Sequence, residues 1–215
     1  MAVNGTRIQA PGTRVLPDTD RVTVDGHPVA PPPEFVYVLL NKPSGVIVSL
    51  GDPHHPRTVV DLLDGLNRRV FPVGRLDLDT SGVLLLTDDG ELTNRLCHPR
   101  YGVEKIYLAR VEGVPDLADI RALSDGVEIE GRLTSPAKVL VRRRQRESSL
   151  LEIALHEGRK RQIKRMCKTV GHPVQTLVRI SFGSLTAAGL EPGQWRYLTS
   201  EEVTGLRRMI GLKKP

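Results

Sequence analysis

A polar turn that leads directly into a short apolar run constrains this chain more than any other feature. The turn is GRLDLDTSG at residues 74–82, and the run is VLLLT at residues 83–87. An apolar run of this length, bounded by turn residues, is typical of a buried strand. Glycines on both sides let the backbone take positive φ and approach a ligand closely. The sequence therefore places Asp77 at the mouth of a core strand, although an aspartate in such a turn often only bonds its own backbone.

The turn resembles the catalytic motif of the pseudouridine synthases, in the RsuA/RluB branch that acts on ribosomal RNA. Further blocks resemble the same family in the same order along the chain. They are NKPSG at 41–45, TDDGEL at 87–92, EKIY at 104–107, EGRKRQIKRM at 157–166 with GHPV at 171–174, and LEPGQWRYL at 190–198. The resemblance depends on their combination, which spans nearly the whole chain, rather than on any single block.

Apolar runs and cap residues predict the order of the main elements. Strands are expected at residues 35–40, 83–87, 106–111, 137–141, 150–155 and 176–180, and helices at 58–63, 90–97, 116–123, 160–170 and 200–210, the last opening with a cap at 199–202. Runs of strands with helices between them are typical of an α+β fold. The resemblance implies the pseudouridine synthase fold, with a central mixed, largely antiparallel sheet, flanking helices on one side and a cleft across the other.

The N-terminal residues predict a separate small β unit. Residues 22–29 contain a short alternating strand and an Asp-Gly turn, and residues 3–5 begin a similar hairpin. The pattern resembles the second half of an S4 RNA-binding domain, whose two opening helices are missing, so the segment is either truncated or decayed. Consecutive prolines predict a stiff linker. We therefore expect a partial S4-like segment at 1–29, a linker at 30–34 and a catalytic domain at 35–215.

Charge and hydropathy restrict the partners of the chain. Its 215 residues carry a net charge of +6 with a sequence pI near 9.6, which favours a polyanionic partner. No run approaches the ~18 consecutive apolar residues that a membrane span requires, and the N-terminus lacks the apolar core of a signal peptide. We therefore expect a cytoplasmic protein that does not bind membranes.

Cysteines and histidines do not form the sequence pattern of a metal site. Cys97 and Cys167 are far apart and belong to no CxxC pair, so both are expected to be buried, reduced thiols. The adjacent His54 and His55 point in divergent directions, and no carboxylate or cysteine cluster accompanies them, which favours a loop. No metal is expected. The chemistry that the resemblance implies also needs no cofactor, because the pyrimidine ring is its own electron sink.

The basic segment that follows Glu157 predicts an RNA-binding helix. At 3.6 residues per turn, its apolar and basic side chains fall on opposite faces. The apolar face comprises Ile163, Met166, Cys167 and Val170, and the basic face comprises Arg161, Lys164, Arg165 and Lys168. Many such helices are simply solvated, but like charges one turn apart destabilise a helix unless an anion compensates them, and no acid follows Glu157 on the basic face. The candidate RNA-binding residues are Arg75, Arg159, Lys160, Arg161, Arg165 and Lys168.

The resemblance implies an activity and a set of catalytic residues. The family isomerises uridine to pseudouridine within RNA, by breaking the bond from ribose to a ring nitrogen, turning the base and forming a bond to a ring carbon. Asp77 matches the catalytic carboxylate, which acts as a nucleophile toward ribose or base, or as a base. Lys164 matches the basic partner that keeps this carboxylate ionised. Tyr107 matches the tyrosine that packs against the target base, and Arg75 the residue that holds the nucleotide out of its stack.

Two other functional classes compete with this hypothesis. Asp77 and Asp79 could form an acid/base pair, but the aspartic proteases need two copies of Asp-Thr/Ser-Gly, and this chain has one inexact copy. A non-catalytic rRNA-binding or ribosome-assembly factor could keep the fold, although the three catalytic residues are all present. The expected partner is ribosomal RNA or a ribosomal subunit precursor, bound by a monomer. Residues 95–99 and 123–127 resemble the large-subunit enzymes more closely, and a small-subunit target is the alternative.

Overall fold

The computed structural model of the protein describes residues 1–10, 12–16, 19–29, 34–51, 53–54 and 57–212. The chain divides between Phe35 and Val36 into two units, each with its own sheet. Apart from Glu34, the predicted linker at 30–34 lies outside the described residues.

The N-terminal unit contains an antiparallel sheet of very short strands. They are β1 (Ala2–Val3), β2 (Thr6–Arg7), β3 (Val22–Val24) and β4 (His27–Val29), in the order β2-β1-β3-β4. The turns at Asn4-Gly5 and Asp25-Gly26 have positive φ at all four residues, from 51° to 83°. Two positive φ values match the twist of hairpin strands, and Asn-Gly and Asp-Gly pairs adopt them readily. Both hairpins expected from the sequence are present.

The second unit contains longer strands and the α-helices. Its strands are β5 (Tyr37–Lys42), β6 (Phe71–Pro72), β7 (Thr80–Thr87), β8 (Lys105–Glu112), β9 (Glu128–Ile129), β10 (Arg132–Leu133), β11 (Lys138–Arg144), β12 (Ser148–Leu155), β13 (Val174–Phe182), β14 (Leu185–Thr186) and β15 (Trp195–Tyr197). Its helices are α1 (Gly90–Cys97), α2 (Leu117–Asp125), α3 (Gln162–Thr169) and α4 (Ser200–Met209), with 3-10 turns at Val60–Leu62 and Pro99–Tyr101. In the described part of the chain, no helix has the length and apolar content needed to cross a bilayer.

A mixed sheet organises this second unit. Its order is β11-β12-β8-β13-β7-β5-β15, with β14 beside β13 and β6 beside β7. Within it, β7 and β13 are parallel, and the other neighbouring strands are antiparallel. The strands β9 and β10 form a separate hairpin. The prediction of an α+β fold with a mixed, largely antiparallel sheet is confirmed.

The predicted strands and helices correspond to observed elements, with ends that differ by a few residues. The predicted helix at 58–63 is only a 3-10 turn over Val60–Leu62. The predicted strand at 83–87 begins earlier, at Thr80, because residues 80–82 pair in parallel with β13. This pairing joins segments almost a hundred residues apart, so local sequence carries no trace of it.

The strand β7 is apolar throughout its second half because both of its faces are covered. Val83 and Leu85 point to one face of the sheet, where they pack with α1 and α4. Leu84 and Leu86 point to the other face and pack against the segment that follows β5. A strand buried on both sides has a continuous apolar run rather than an alternating one.

The helices α2 and α3 lie on the opposite face of the sheet from α1 and α4. Ala109 and Val111 of β8 pack with Leu123 of α2 and Met166 of α3. Tyr107 is two residues before Ala109 on β8 and therefore points to the same face of the sheet. It also contacts the apolar cluster of Leu84 and Leu86, on the face of β7 opposite α1. The expectation of helices on one side only is therefore wrong. The sheet extends beyond β8 to β12 and β11, and their apolar residues on this face are covered by the second helix pair.

A capping box fixes the start of α4. The Thr199 hydroxyl accepts a hydrogen bond from the Glu202 amide at 3.2 Å, and the Glu202 carboxylate accepts one from the Thr199 amide at 2.9 Å. These two bonds satisfy amide groups that the helix itself leaves unpaired. The cap predicted at residues 199–202 is confirmed.

Candidate active site

A cleft of about 680 Å³ runs past Tyr107 on the sheet. Its walls come from the turn at residues 74–80, the strands β8 and β13, and the loop that joins β12 to α3. The predicted site residues that line it are Arg75, Asp77, Tyr107, Arg159, Lys160 and Arg161. The fold thus brings together side chains from turns, strands and a loop that are widely separated in sequence.

A buried lysine holds the turn that carries Asp77. Lys42, the last residue of β5, is fully buried. Its Nζ donates hydrogen bonds to the backbone carbonyls of Thr80 at 2.8 Å, Pro43 at 3.0 Å and Leu78 at 3.3 Å. The lysine therefore fixes the backbone immediately after Asp77.

Burial weakens Lys42 as a base. Loss of hydration lowers its pKa from the ordinary value of 10.5 to about 8, and the carboxylates of Asp79 and Asp77 oppose this change. The amine is therefore protonated near pH 7, and a charged donor binds carbonyl oxygens more strongly than a neutral one. Sequence reasoning missed this role. The NKPSG block predicted only a strand and a turn, and lysine is almost never fully buried.

The second glycine of the turn allows a close contact between strands. Gly82 has a φ of 104°, and a Cβ atom built there would lie 2.1 Å from the carbonyl oxygen of Arg179. Only glycine fits this position, because it needs both the positive φ and the absence of a side chain. The close approach predicted for this glycine is therefore made to β13 rather than to a ligand.

Lys164 contacts two carboxylates at once. Its Nζ lies 3.7 Å from Oδ2 of Asp77 and also donates a hydrogen bond to Oδ1 of Asp79. The exposed fraction is 12% for the Lys164 side chain, 34% for Asp77 and 62% for Asp79. The lysine thus reaches Asp77 from α3, as the resemblance implied, and Asp79 shares it. The sequence suggests Asp79 only as a proton-transfer partner of Asp77, and the structure shows that it contacts the same lysine.

The arrangement argues against an acid/base pair formed by Asp77 and Asp79. The hydrogen bond from Lys164, with the positive charges of Lys164 and Arg161, lowers the pKa of Asp79. An aspartate with a lowered pKa is ionised at neutral pH and cannot donate a proton there. The two-residue spacing of the carboxylates instead lets one ammonium contact both.

Tyr107 and Arg75 present unused polar groups to the cleft. The Tyr107 ring is partly buried against apolar side chains, and its hydroxyl forms no hydrogen bond within the described residues. Arg75 is exposed, and its guanidinium likewise forms no hydrogen bond or ion pair within the described residues. Both groups can therefore bind a ligand without first breaking a protein contact.

A buried glutamine shapes the loop that carries Lys160 and Arg161. The Gln162 side chain donates to Glu157 at 2.6 Å and accepts from the Arg159 amide at 2.9 Å. Arg161 itself has a φ of 54°, in the left-handed region, immediately before α3 begins. This geometry leaves Lys160 and Arg161 exposed at the cleft.

Arg159 lies at the cleft, but its guanidinium is engaged by the protein. It donates to the backbone carbonyls of Arg132 at 3.1 Å and Leu133 at 2.6 Å, in the strand β10. Its Nε also lies 3.5 Å from the Glu157 carboxylate. These contacts attach the loop before α3 to the β9-β10 hairpin.

The predicted basic face of α3 is divided between two surfaces. Lys164 reaches Asp77, which lines the cleft, whereas Arg165 forms an ion pair with Glu130 at 2.6 Å and borders a separate groove with Lys168. The expectation of a basic face without an acid beside it is therefore wrong, because Glu130 pairs with Arg165. The compensating carboxylate comes from the β9-β10 hairpin, which is distant in sequence. The apolar face is confirmed, since Ile163 and its neighbours are buried against the sheet.

The described residues include no group of three or more histidine, cysteine or acidic side chains arranged to hold a metal ion. His55 lies outside the described residues. Cys167 is buried as predicted, and burial raises its pKa to about 12. The prediction that Cys97 is also buried is wrong. This residue ends α1, one position after the buried Leu96, and is exposed at the cleft.

Comparison with known proteins identifies the family. A family model described as RNA pseudouridylate synthase matches residues 36–169. An uncharacterized RNA pseudouridine synthase of Aquifex aeolicus is 42% identical over 212 residues, which are 98% of this chain and 85% of that protein. Ribosomal large subunit pseudouridine synthase B of Bacillus subtilis is 40% identical over 209 residues, which are 96% of this chain and 85% of that protein.

A solved structure agrees with this result. A crystal structure described as a pseudouridylate synthase matches 95% of this chain and 87% of its own, with a TM-score of 0.75 at 29% identity. The fold and the sequence motifs therefore point to the same family, and the resemblance to the RsuA/RluB branch is confirmed. The chain belongs to the RNA pseudouridylate synthase family.

Proposed function

We propose that this protein isomerises a specific uridine to pseudouridine in large-subunit ribosomal RNA, with Asp77 as the catalytic carboxylate. The observation that carries the proposal is the position of Lys164, whose ammonium lies 3.7 Å from Asp77 beside a cleft that also contains Tyr107. An ionised carboxylate, a basic partner and an aromatic ring are the groups that the reaction of this family requires.

The reaction is an isomerisation, so substrate and product have the same composition. The bond between C1′ of the ribose and N1 of uracil breaks, the bond between C1′ and C5 forms, and the proton on C5 is lost to solvent while N1 gains one. Asp77 acts as a nucleophile toward ribose or base, or as the base that accepts a proton. Lys164 places a positive charge beside it in each case. The Tyr107 ring supports the extruded base.

The proposed substrate is supported by a relative and by the size of the cleft. The Bacillus subtilis relative is named as a large-subunit enzyme, and residues 95–99 and 123–127 have the corresponding local resemblance. A cleft of about 680 Å³ has room for an extruded nucleotide. Extrusion costs least in loops and single strands, where bases are already unstacked.

Arg75, Lys160 and Arg161 bind the RNA backbone in this proposal. All three are exposed at the cleft, and none is engaged by another described side chain in a hydrogen bond or ion pair. Arg159 and Arg165 contribute less, because backbone carbonyls and Glu130 already engage them. Lys168 borders the separate groove and is a secondary contact.

The proposal extends to the partner and the place of action. The enzyme acts as a monomer in the cytoplasm, on ribosomal RNA or a ribosomal subunit precursor, and its net charge of +6 favours this polyanion. Residues 1–29 serve as a partial S4-like accessory segment, residues 30–34 as a linker, and residues 35–215 as the catalytic domain.

Two measurements test the proposed function. Release of tritium from RNA labelled at C5 of uridine should occur with the wild-type protein and not with Asp77→Asn. Chemical mapping should then place pseudouridine in naked or assembled large-subunit RNA. Modification confined to small-subunit RNA would overturn the proposal that large-subunit RNA is the substrate. Tight rRNA binding without tritium release would favour the alternative, a non-catalytic ribosome-assembly factor.

A further inference from the structure

Two more cations line the cleft beside the proposed catalytic residues. Lys105 lies on β8, two residues before Tyr107, and Arg179 lies on β13 directly opposite Tyr107 in the strand register. Residues two apart on a strand point to the same face of a sheet, and so do directly opposite residues on neighbouring strands. Arg179 therefore lies on the face of the sheet that carries Tyr107, and Lys105 lines the same cleft.

Arg179 is a fixed cation with an unused donor. Only 2% of the residue is exposed, and its Nε donates to the Val83 carbonyl at 2.7 Å. Its Nη2 has no hydrogen-bond partner within the described residues. An unpaired donor on a buried charged group destabilises a fold, so its presence in a cleft points to a ligand that supplies the missing acceptor.

Lys105 lies against the same aromatic ring as Arg179. The Lys105 Nζ is 5.8 Å, and the Arg179 Cζ 5.1 Å, from the centroid of the buried Phe182 ring. The ammonium donates one hydrogen bond, to the Val103 carbonyl at 3.1 Å. An ammonium has three donors, so two remain for a ligand.

No carboxylate of the described residues forms an ion pair with either cation. Burial, followed by the charge of Arg179, lowers the pKa of Lys105, and among the described residues the Cys97 thiol opposes this change. Like charges repel most strongly where water is excluded. An anion bound between Lys105 and Arg179 would relieve this repulsion and satisfy the unused donors of both.

We propose that Lys105 and Arg179 form a subsite for a phosphate of the RNA backbone, adjacent to the uridine extruded onto Tyr107. The identity of that nucleotide rests on the proposed function. Arginine and lysine are the side chains that proteins use most for phosphate, through a planar fork and a compact charge respectively. A base held against Tyr107 carries its sugar and phosphate close to Arg179, the neighbour of this tyrosine in the sheet.

The test measures RNA binding in the absence of turnover. All proteins carry Asp77→Asn, and the affinity for a 12-nucleotide oligouridylate is measured by fluorescence anisotropy over a range of salt concentrations. Arg179→Gln and Lys105→Gln should each weaken binding several-fold and lower the slope of log K against log salt by ~0.7, the value for one lost phosphate contact on a single strand. Arg179→Lys, which keeps the charge, should preserve most of the slope.

Matched controls come from exposed cations outside the cleft. Arg121→Gln on α2 and Lys138→Gln on β11 remove the same charges from side chains that do not line it. Thermal denaturation verifies that each variant folds. If Arg179→Gln does not fold, Lys105→Gln decides the question alone. An unchanged slope in folded Lys105→Gln, or an equal loss in both controls, would overturn the subsite.

Inorganic phosphate distinguishes an RNA subsite from a site for a free anion. At constant ionic strength, inorganic phosphate should compete with the oligouridylate for the Asp77→Asn protein. It should not compete for the protein that also carries Lys105→Gln. Phosphate binding without any change in the RNA slope would overturn the proposal in favour of a free anion. Tritium release by the protein with intact Asp77 tests the proposed function separately, so loss of slope without synthase activity would retain the subsite and reject only the function.

Discussion

Replacing Lys42 by methionine tests whether a charged, buried amine holds the turn that carries Asp77. Methionine has a flexible apolar stem that fills a similar space, but the carbonyls of Pro43, Leu78 and Thr80 lose their donor. The turn should loosen, and turnover should fall by at least about tenfold, because displacing a catalytic group by 1 Å can cost ~10²-fold.

The substitution also has a pH signature. The pKa of Lys42 is about 8 in the folded protein and 10.5 ordinarily, so between these values the unfolded chain binds more protons. Raising the pH therefore stabilises the wild type relative to Lys42→Met. The penalty for burying the charge is fully present below pH 8 and disappears as the pH approaches 10.5. Between pH 7 and pH 9.5 the relative gain is about 2 kcal/mol.

Urea unfolding at a series of pH values measures this difference. The single tryptophan, Trp195, reports on the second unit. Subtracting the free energy of unfolding of Lys42→Met from that of the wild type cancels the groups that both proteins share, such as Lys105. A difference that does not rise between pH 7 and pH 9.5 would refute the conclusion that burial depresses the pKa of Lys42. Unchanged turnover would refute its role in holding the turn.

Three further substitutions have defined outcomes. Asp77→Asn should abolish tritium release while RNA affinity stays within about threefold, because it removes a carboxylate but no phosphate contact; residual turnover near the wild-type rate would reject Asp77 as catalytic. Gly82→Ala should lower the free energy of unfolding by more than about 2 kcal/mol in urea titrations, since the added methyl meets the carbonyl of Arg179; a stability loss below about 0.5 kcal/mol would contradict the close contact. Arg161→Gln should reduce the salt slope of RNA binding by ~0.7, and the control Arg165→Gln, already paired with Glu130, should not; equal slopes in the two variants would place RNA elsewhere.

The sequence was sufficient for the fold class and for the residues that face each other in the cleft. Asp77, Tyr107 and Lys164 belong to blocks whose order along the chain is informative, and the structure places Lys164 3.7 Å from Asp77, which lines the same cleft as Tyr107. Long apolar runs such as residues 83–87 also predicted strands well, because burial on both faces leaves a strong local signal.

The features that the sequence did not reveal all depend on contacts between distant segments. Lys42 acts through carbonyls of the turn about forty residues later, and nothing in its own neighbourhood marks it as buried. The sequence predicts that Arg165 faces RNA, because it gives no sign that Glu130 is the partner of this arginine. Glu130 lies on a hairpin with strands of two residues each, which are too short to show any periodicity. Periodicity assigns a side chain to a helix face, but only the packed neighbours decide what that face meets.

The position of β13 in the sheet has a consequence for synthesis of the chain. It lies between β7 and β8, although both precede it by more than sixty residues. Until residues 174–182 leave the ribosome, β8 has an unpaired edge, residues 80–82 of β7 lack their parallel partner, and the turn before β7 has no fixed position relative to α3. The cleft is therefore one of the last parts of the enzyme to form, and a nascent chain that stops before β13 carries exposed strand edges, which favour aggregation.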